Sequence, residues 1–146
     1  MIRLPSQSYP SLVFLFLVVF LGSGCITTEK ALDKQLQVEK NFFNGTDCLG
    51  KGLLPQARKE FLAAIELDSS IPKLHNALGR VYLEENKPDL AEKEFLKALD
   101  LDGQFFDAHT QLGSLYMGQK KFDEAIDSFR KLLKFAPQFP EFRTQN

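Results

Sequence analysis

PKLHNALGRVYLEENKPDLAEKEFLKALDLDGQF, residues 72–105, is the stretch on which the reading turns. His75, Leu78, Gly79 and Tyr82 fall at i, i+3, i+4 and i+7, one face of a helix. After a break at Asn86-Lys87-Pro88 a second helical face follows, Ala91, Phe95, Ala98 and Leu99. The same letters return 34 residues later as His109, Leu112, Gly113, Tyr116, Ala125, Phe129, Leu132 and Leu133. In the other direction Gly45, Ala57, Phe61, Ala64 and Ile65 fall in register. A fixed period containing two helices separated by a turn is a repeat signature.

Three units follow from that period. The first, 38–71, has an irregular opening helix: Asn41, Asn44, Gly45 and Cys48 stand where the middle unit has His75, Leu78, Gly79 and Tyr82. Phe42 and Phe43 are expected to supply its apolar surface. Gly50 and Gly52 end that helix, and Pro55 suits the first turn of the next. The second unit is 72–105 and the third 106–139, with a short tail, 140–146. The fold class expected is all-α, three helical hairpins stacked side by side as a solenoid. Glycines and alanines at the recurring positions let paired helices approach closely, and Phe61, Phe95 and Phe129 fill the space between them.

Leu12 to Leu21 is unbroken apolar sequence. About ten residues make about 15 Å of helix against a hydrocarbon core of about 30 Å, the length of a signal-peptide core rather than a span. Small residues follow, Gly22-Ser23-Gly24, and then Cys25. From Ile26 to Gln37 the chain is polar and reads as a tether, with Leu32 and Leu36 spaced to extend the first helix backwards.

Composition narrows the function classes. Lys and Arg number 18 against 19 Asp and Glu, so there is no basic footprint for nucleic acid. Hydrophobic residues make up 44%, with 14 Phe, too many for a disordered chain. The two cysteines, Cys25 and Cys48, give no disulfide framework. Cys48 reads as a small apolar core residue, with an intermolecular disulfide as the other use of it. There is no G-x-S-x-G and no Gly-rich phosphate loop. The two histidines, His75 and His109, lack a third His, a Cys or a carboxylate spaced to complete a ligand set. No metal, cofactor or catalytic activity is expected, and an enzyme or metal protein using His75 and His109 is a remote alternative.

The units resemble the tetratricopeptide repeat (TPR). Its pattern of W-x2-L-G-x2-Y, A-x3-F and P is met by Leu78-Gly79-x2-Tyr82 with Ala91-x3-Phe95. Leu112-Gly113-x2-Tyr116, Ala125-x3-Phe129 and Pro137 meet it again. His takes the Trp place in both, and Ser69 and Gly103 take the Pro place in the first two units. The resemblance implies that the first helix of each hairpin lines a concave groove for an extended peptide or a partner helix. The lining places hold Phe42, Thr46, Leu49, Lys73, Asn76, Arg80, Leu83, Asp107, Thr110, Ser114 and Met117. Asn76 can bond a peptide backbone twice, Arg80 can clamp a carboxylate, and the apolar members can hold side chains. The Lys/Asn set that chaperone-binding members use for C-terminal carboxylates is not reproduced. Members of that family usually end in an extra solvating helix, and with only 140–146 after the third unit, Leu132, Leu133, Phe135, Phe139 and Phe142 are expected to leave an uncapped apolar end, suited to self-association as a homo-oligomer or to end-on docking.

Leu21-Gly22-Ser23-Gly24-Cys25 resembles a bacterial lipoprotein signal. That resemblance implies residues 1–24 as a cleaved signal, a lipidated Cys25 acylated at its new N-terminus (palmitate among the usual chains), and 25–37 as the tether. Ile26 rather than Asp after the Cys implies outer-membrane sorting, facing the periplasm. The function expected is a lipid-anchored adaptor that binds a protein or peptide and supports assembly or localisation of a cell-envelope complex, pilotin-like or outer-membrane assembly-like. The alternative is a regulator tethering an envelope hydrolase or protease.

Overall fold

The computed structural model describes the backbone of residues 11–135 and the side chains of residues 28–134. The side chain of Cys25 and the expectations placed on Pro137, Phe139 and Phe142 lie outside the described residues. Six helices follow in order: α1 (Ser11–Gly50), α2 (Leu54–Leu67), α3 (Pro72–Glu84), α4 (Pro88–Leu101), α5 (Phe106–Gly118) and α6 (Phe122–Phe135). No strand occurs among the described residues.

The chain divides into two compact units, Met1–Leu36 and Gln37–Asn146. In the first, helix runs from Ser11 onward, and Thr28 to Leu36 all face solvent. No helix among the described residues is long and apolar enough to cross a membrane.

The second unit holds the hairpins, and its boundaries follow local chemistry. A proline stands in the first turn of α2, α3 and α4, where its missing N–H costs no helical bond. Each hairpin turn closes with the same pair of backbone bonds. Leu53 N–H donates to Cys48 O at 2.9 Å and Gly52 N–H to Leu49 O at 3.0 Å. Lys87 with Tyr82 and Asn86 with Leu83 repeat the pattern, as do Lys121 with Tyr116 and Lys120 with Met117. This is a Schellman closure, and its pivotal residue must take positive φ. Gly52, Asn86 and Lys120 do so, at 71°, 56° and 60°.

Lysine is the poor choice of the three, because its Cβ crowds the backbone in the left-handed region. Lys120→Gly is therefore expected to stabilise the protein by about 0.5–1 kcal/mol, the relief of strain less the entropy glycine loses. Asn86→Gly gives less, since Asn tolerates this conformation. Urea denaturation of the two variants checks the ranking.

Within each hairpin a ring fills the place left by a missing Cβ. A Cβ built on Gly45, Gly79 or Gly113 would lie 2.5–2.6 Å from the ring of Phe61, Phe95 or Phe129 respectively. Ala57, Ala91 and Ala125 are fully buried beside them. Between hairpins, Leu74, Leu78 and Val81 of α3 close against α2, while Ala108, Leu112 and Leu115 of α5 close against α4. Cys48 is half-buried and packs on the α2–α3 cluster. Phe42 packs its ring 5.9 Å from that of Phe61, but Phe43 is 71% exposed. Adjacent residues on a helix point about 100° apart, so one of the pair cannot reach the core.

The linkers between hairpins repeat as well. Asp68 and Asp102 each accept from the backbone N–H two residues on, at 2.9 Å. The expected ring place is filled by histidines that bond rather than merely pack. His75 Nε2 lies 3.0 Å from Ser69 O, and His109 Nε2 lies 3.1 Å from Gly103 O. His75 Nδ1 also meets Glu94 Oε2 at 2.8 Å, pinning the linker to both helices of its hairpin. Zinc on these histidines would take one ring nitrogen of each away from the partner it now bonds.

Tyr116 OH donates to Glu92 Oε1 at 2.8 Å, joining α5 to α4. Burial, and then this carboxylate, push the Tyr116 phenol up to about 12 from 10. A raised folded value favours the neutral phenol in the native state. Its stabilisation is complete below pH about 10 and is lost as pH rises through about 12. Tyr116→Phe is expected to flatten the fall in melting temperature across that window.

Candidate functional site

The first helices of the hairpins form one layer. α3 touches α5, and Lys73 of α3 reaches Glu39 of α1 at 2.8 Å. Among the described residues, the backbones of α2, α4 and α6 do not come close to one another. A layer whose members touch, backed by one whose members are splayed, is the inner side of a curve. The concave face of this unit is therefore that of α1, α3 and α5, and every lining residue expected from the sequence lies on those helices.

Their environments differ. Phe42 is half-buried and carries the Lys73 ammonium 4.8 Å above its ring. Lys73 is thus held twice, by a π face and by the Glu39 carboxylate. Leu83 is half-buried against the α4–α5 cluster. Thr110 is exposed and turns its hydroxyl back to Phe106 O at 3.0 Å, Ser114 is exposed, and Met117 is 50% exposed.

Leu49 and Arg80 come together in an open cavity of about 560 Å³ between the end of α1, the start of α2 and α3. Thr46, Leu54 and Glu84 share the lining. Arg80 has no carboxylate partner among the described residues, in contrast to Arg58, which pairs with Glu85 at 3.5 Å. One turn before Arg80, on the same face of α3, Asn76 is 7% exposed and its Oδ1 is buried without a hydrogen-bond partner. A buried acceptor left unpaired costs about 1–3 kcal/mol.

Thr110, Ser114 and Met117 are not part of that cavity. Glu84 was not among the residues expected from the sequence, although its i+4 spacing from Arg80 places it on the same face. Leu54 was hidden because it comes from the following helix. The cavity therefore offers an open cation and an apolar wall, with a carboxylate at its edge.

The tetratricopeptide repeat family model matches residues 45–104 and 76–140. The chain belongs to the tetratricopeptide repeat family. Solved TPR structures bear it out at the level of the backbone. The second TPR of Spaghetti (RPAP3), solved with the HSP90 peptide SRMEEVD, is similar at 25% identity and a TM-score of 0.67, covering 73% of this chain and 98% of that one. The second TPR domain of human RPAP3, solved with the HSP70 peptide SGPTIEEVD, gives 24% and 0.66, covering 72% and 88%. The type III secretion translocator chaperone SycD of Yersinia enterocolitica gives 18% and 0.66, covering 73% and 79%. No curated protein sequence matches significantly.

Proposed function

We propose that this TPR chain is a lipid-anchored adaptor of a bacterial cell envelope that takes an acidic, extended segment of a protein partner against α1 and α3. The observation that carries the reading is Arg80, a cation open at the mouth of the cavity with no carboxylate paired to it among the described residues. A partner carboxylate supplies the counter-ion, and Leu49 and Leu54 receive an apolar side chain. The peptides bound by the RPAP3 domains are acidic at their C-terminal ends, which supports the same polarity of ligand here. The reading is of a binding protein that supports assembly or localisation of an envelope complex, not of an enzyme.

The peptide SRMEEVD serves as an acidic probe, with SRMQQVN as its neutral control. Fluorescence anisotropy on the full chain in detergent is expected to favour the acidic peptide. Arg80→Ala is expected to weaken it about tenfold or more, the loss of a charge-assisted bond worth about 1.5–3 kcal/mol. Equal affinity for the two peptides, or indifference to Arg80→Ala, would overturn the reading.

The anchor part of the proposal rests on Leu21-Gly22-Ser23-Gly24-Cys25 and on Ile26, which supports the outer membrane facing the periplasm. Cys25→Ala is expected to move the protein from the membrane to the soluble fraction. An intact mass without acyl chains on Cys25 would refute it.

A further inference from the structure

The cavity between α1 and α3 holds two opposite charges that do not pair with each other. Thr46 spends its hydroxyl on its own helix, donating to Phe42 O at 3.1 Å and to Phe43 O at 2.8 Å. Leu49, Leu54, Gly50 and Gly52 bring no polar side chain, which leaves Arg80 and Glu84 as the polar heads of the lining. Both are exposed, and neither enters an ion pair among the described residues. They stand at i and i+4 with the base first, the weaker order for pairing along a helix. The i, i+4 pairs that do close, Asp47 with Lys51 and Asp127 with Lys131, both at 2.7 Å, have the acid first.

Glu84 also sits where its own helix disfavours it. It is the last residue of α3, at the negative end of the helix dipole. α1 ends at Gly50, which lines the same cavity, so a second negative helix end is turned to it. Neither last turn carries a base. Lys51, next after Gly50, is held by Asp47 and is not part of the lining. Glu85 shows how the fold compensates an acid at this helix end, with Arg58 at 3.5 Å and Lys87 at 2.7 Å. Glu84 has no such cation, so one end of the cavity is left negative while Arg80, a turn earlier, keeps the other positive.

We propose that the segment bound here is bipolar, with a lysine or arginine two residues from its acid: the base meets Glu84 at the ends of α1 and α3, and the acid meets Arg80. This rests on the reading of the cavity as the site of an acidic segment. The spacing follows from two geometries. Four residues of helix separate Arg80 from Glu84 by about 6 Å along the axis, and two residues of extended chain span about 6.6 Å with both side chains on one side. The aliphatic stem of the base has Leu49 and Leu54 to lie on.

Fluorescence anisotropy on the full chain in detergent tests this with labelled peptides of one length. GAEAKAG and GAKAEAG carry the two charges at the proposed spacing, one for each chain direction. GAEKAAG has the same composition with the charges adjacent, GAEAQAG has the acid alone, and GAQAQAG is neutral. The tighter of the first two is expected to bind about three- to fivefold better than GAEKAAG and GAEAQAG, the range of an exposed charge pair. Glu84→Gln is expected to erase that difference, weakening the bipolar peptide and tightening the acid-only one, without lowering the melting temperature. Equal affinity for the bipolar, adjacent and acid-only peptides overturns the proposal, as does a preference that survives Glu84→Gln. In either case the acidic-segment reading stands if GAEAQAG outbinds GAQAQAG. Should no peptide outbind GAQAQAG, that reading fails and this inference falls with it.

Discussion

Phe95→Ala is expected to lower stability by about 3–5 kcal/mol, from the lost transfer of a ring and the cavity it leaves. Phe95 is fully buried, and its ring lies where a Cβ of Gly79 would stand. Its neighbours Ala91 and Ala98 are too small to collapse into the space. The middle hairpin is also the one flanked on both sides: α3 meets α2, and α4 meets α5. Loosening it exposes the faces of the outer hairpins, so the loss is expected to unfold the array cooperatively rather than one unit. Circular dichroism melting reads the effect. A midpoint unmoved by Phe95→Ala would contradict the packing described. Phe129→Ala, with its ring half-buried, is expected to cost less.

Gly79→Ala comes second and tests the same joint from the other side. On an exposed helix the change would gain about 1 kcal/mol, because alanine is the better helix former. Here the new Cβ would lie 2.5 Å from Phe95 Cε1 and 2.8 Å from Cδ1. The ring is walled in and cannot step aside, so overpacking costs about 1–3 kcal/mol and reverses the sign. Gly118→Ala is the control, since nothing lies within 4 Å of a Cβ there. Combining Gly79→Ala with Phe95→Leu is expected to recover part of the loss, because the two changes act on one volume. A double-mutant cycle with no coupling would show that they do not touch.

Much of this was open to reading in the letters. Gly79 and Phe95 recur as Gly45 with Phe61 and as Gly113 with Phe129, and that recurrence gave hairpin boundaries and knob-in-notch packing together. Pro72 and Pro88 marked helix starts, and Gly50 marked the end of α1. Residue type hid other features. Lys120 gives no hint of positive φ; only its register with Gly52 and Asn86 does. His75 could be placed at a ring position, but its bonds to Ser69 O and Glu94 depend on distances across two helices. Phe43 looked as useful as Phe42, until helix geometry turned it to solvent. At the groove, Arg80 and Leu49 were legible from the resemblance to the repeat family, whereas the orphaned Asn76 Oδ1 depends on how neighbouring side chains shut water out.

Contacts among α2 to α6 never join helices more than two places apart in the chain. Each hairpin is completed only by its immediate neighbours, so the array can assemble in order as it emerges, with little loop entropy to overcome. The same economy sets the mechanical behaviour. A load pulling on the last helix meets one hairpin joint at a time, and the protein is expected to yield in steps, as a spring that lengthens coil by coil.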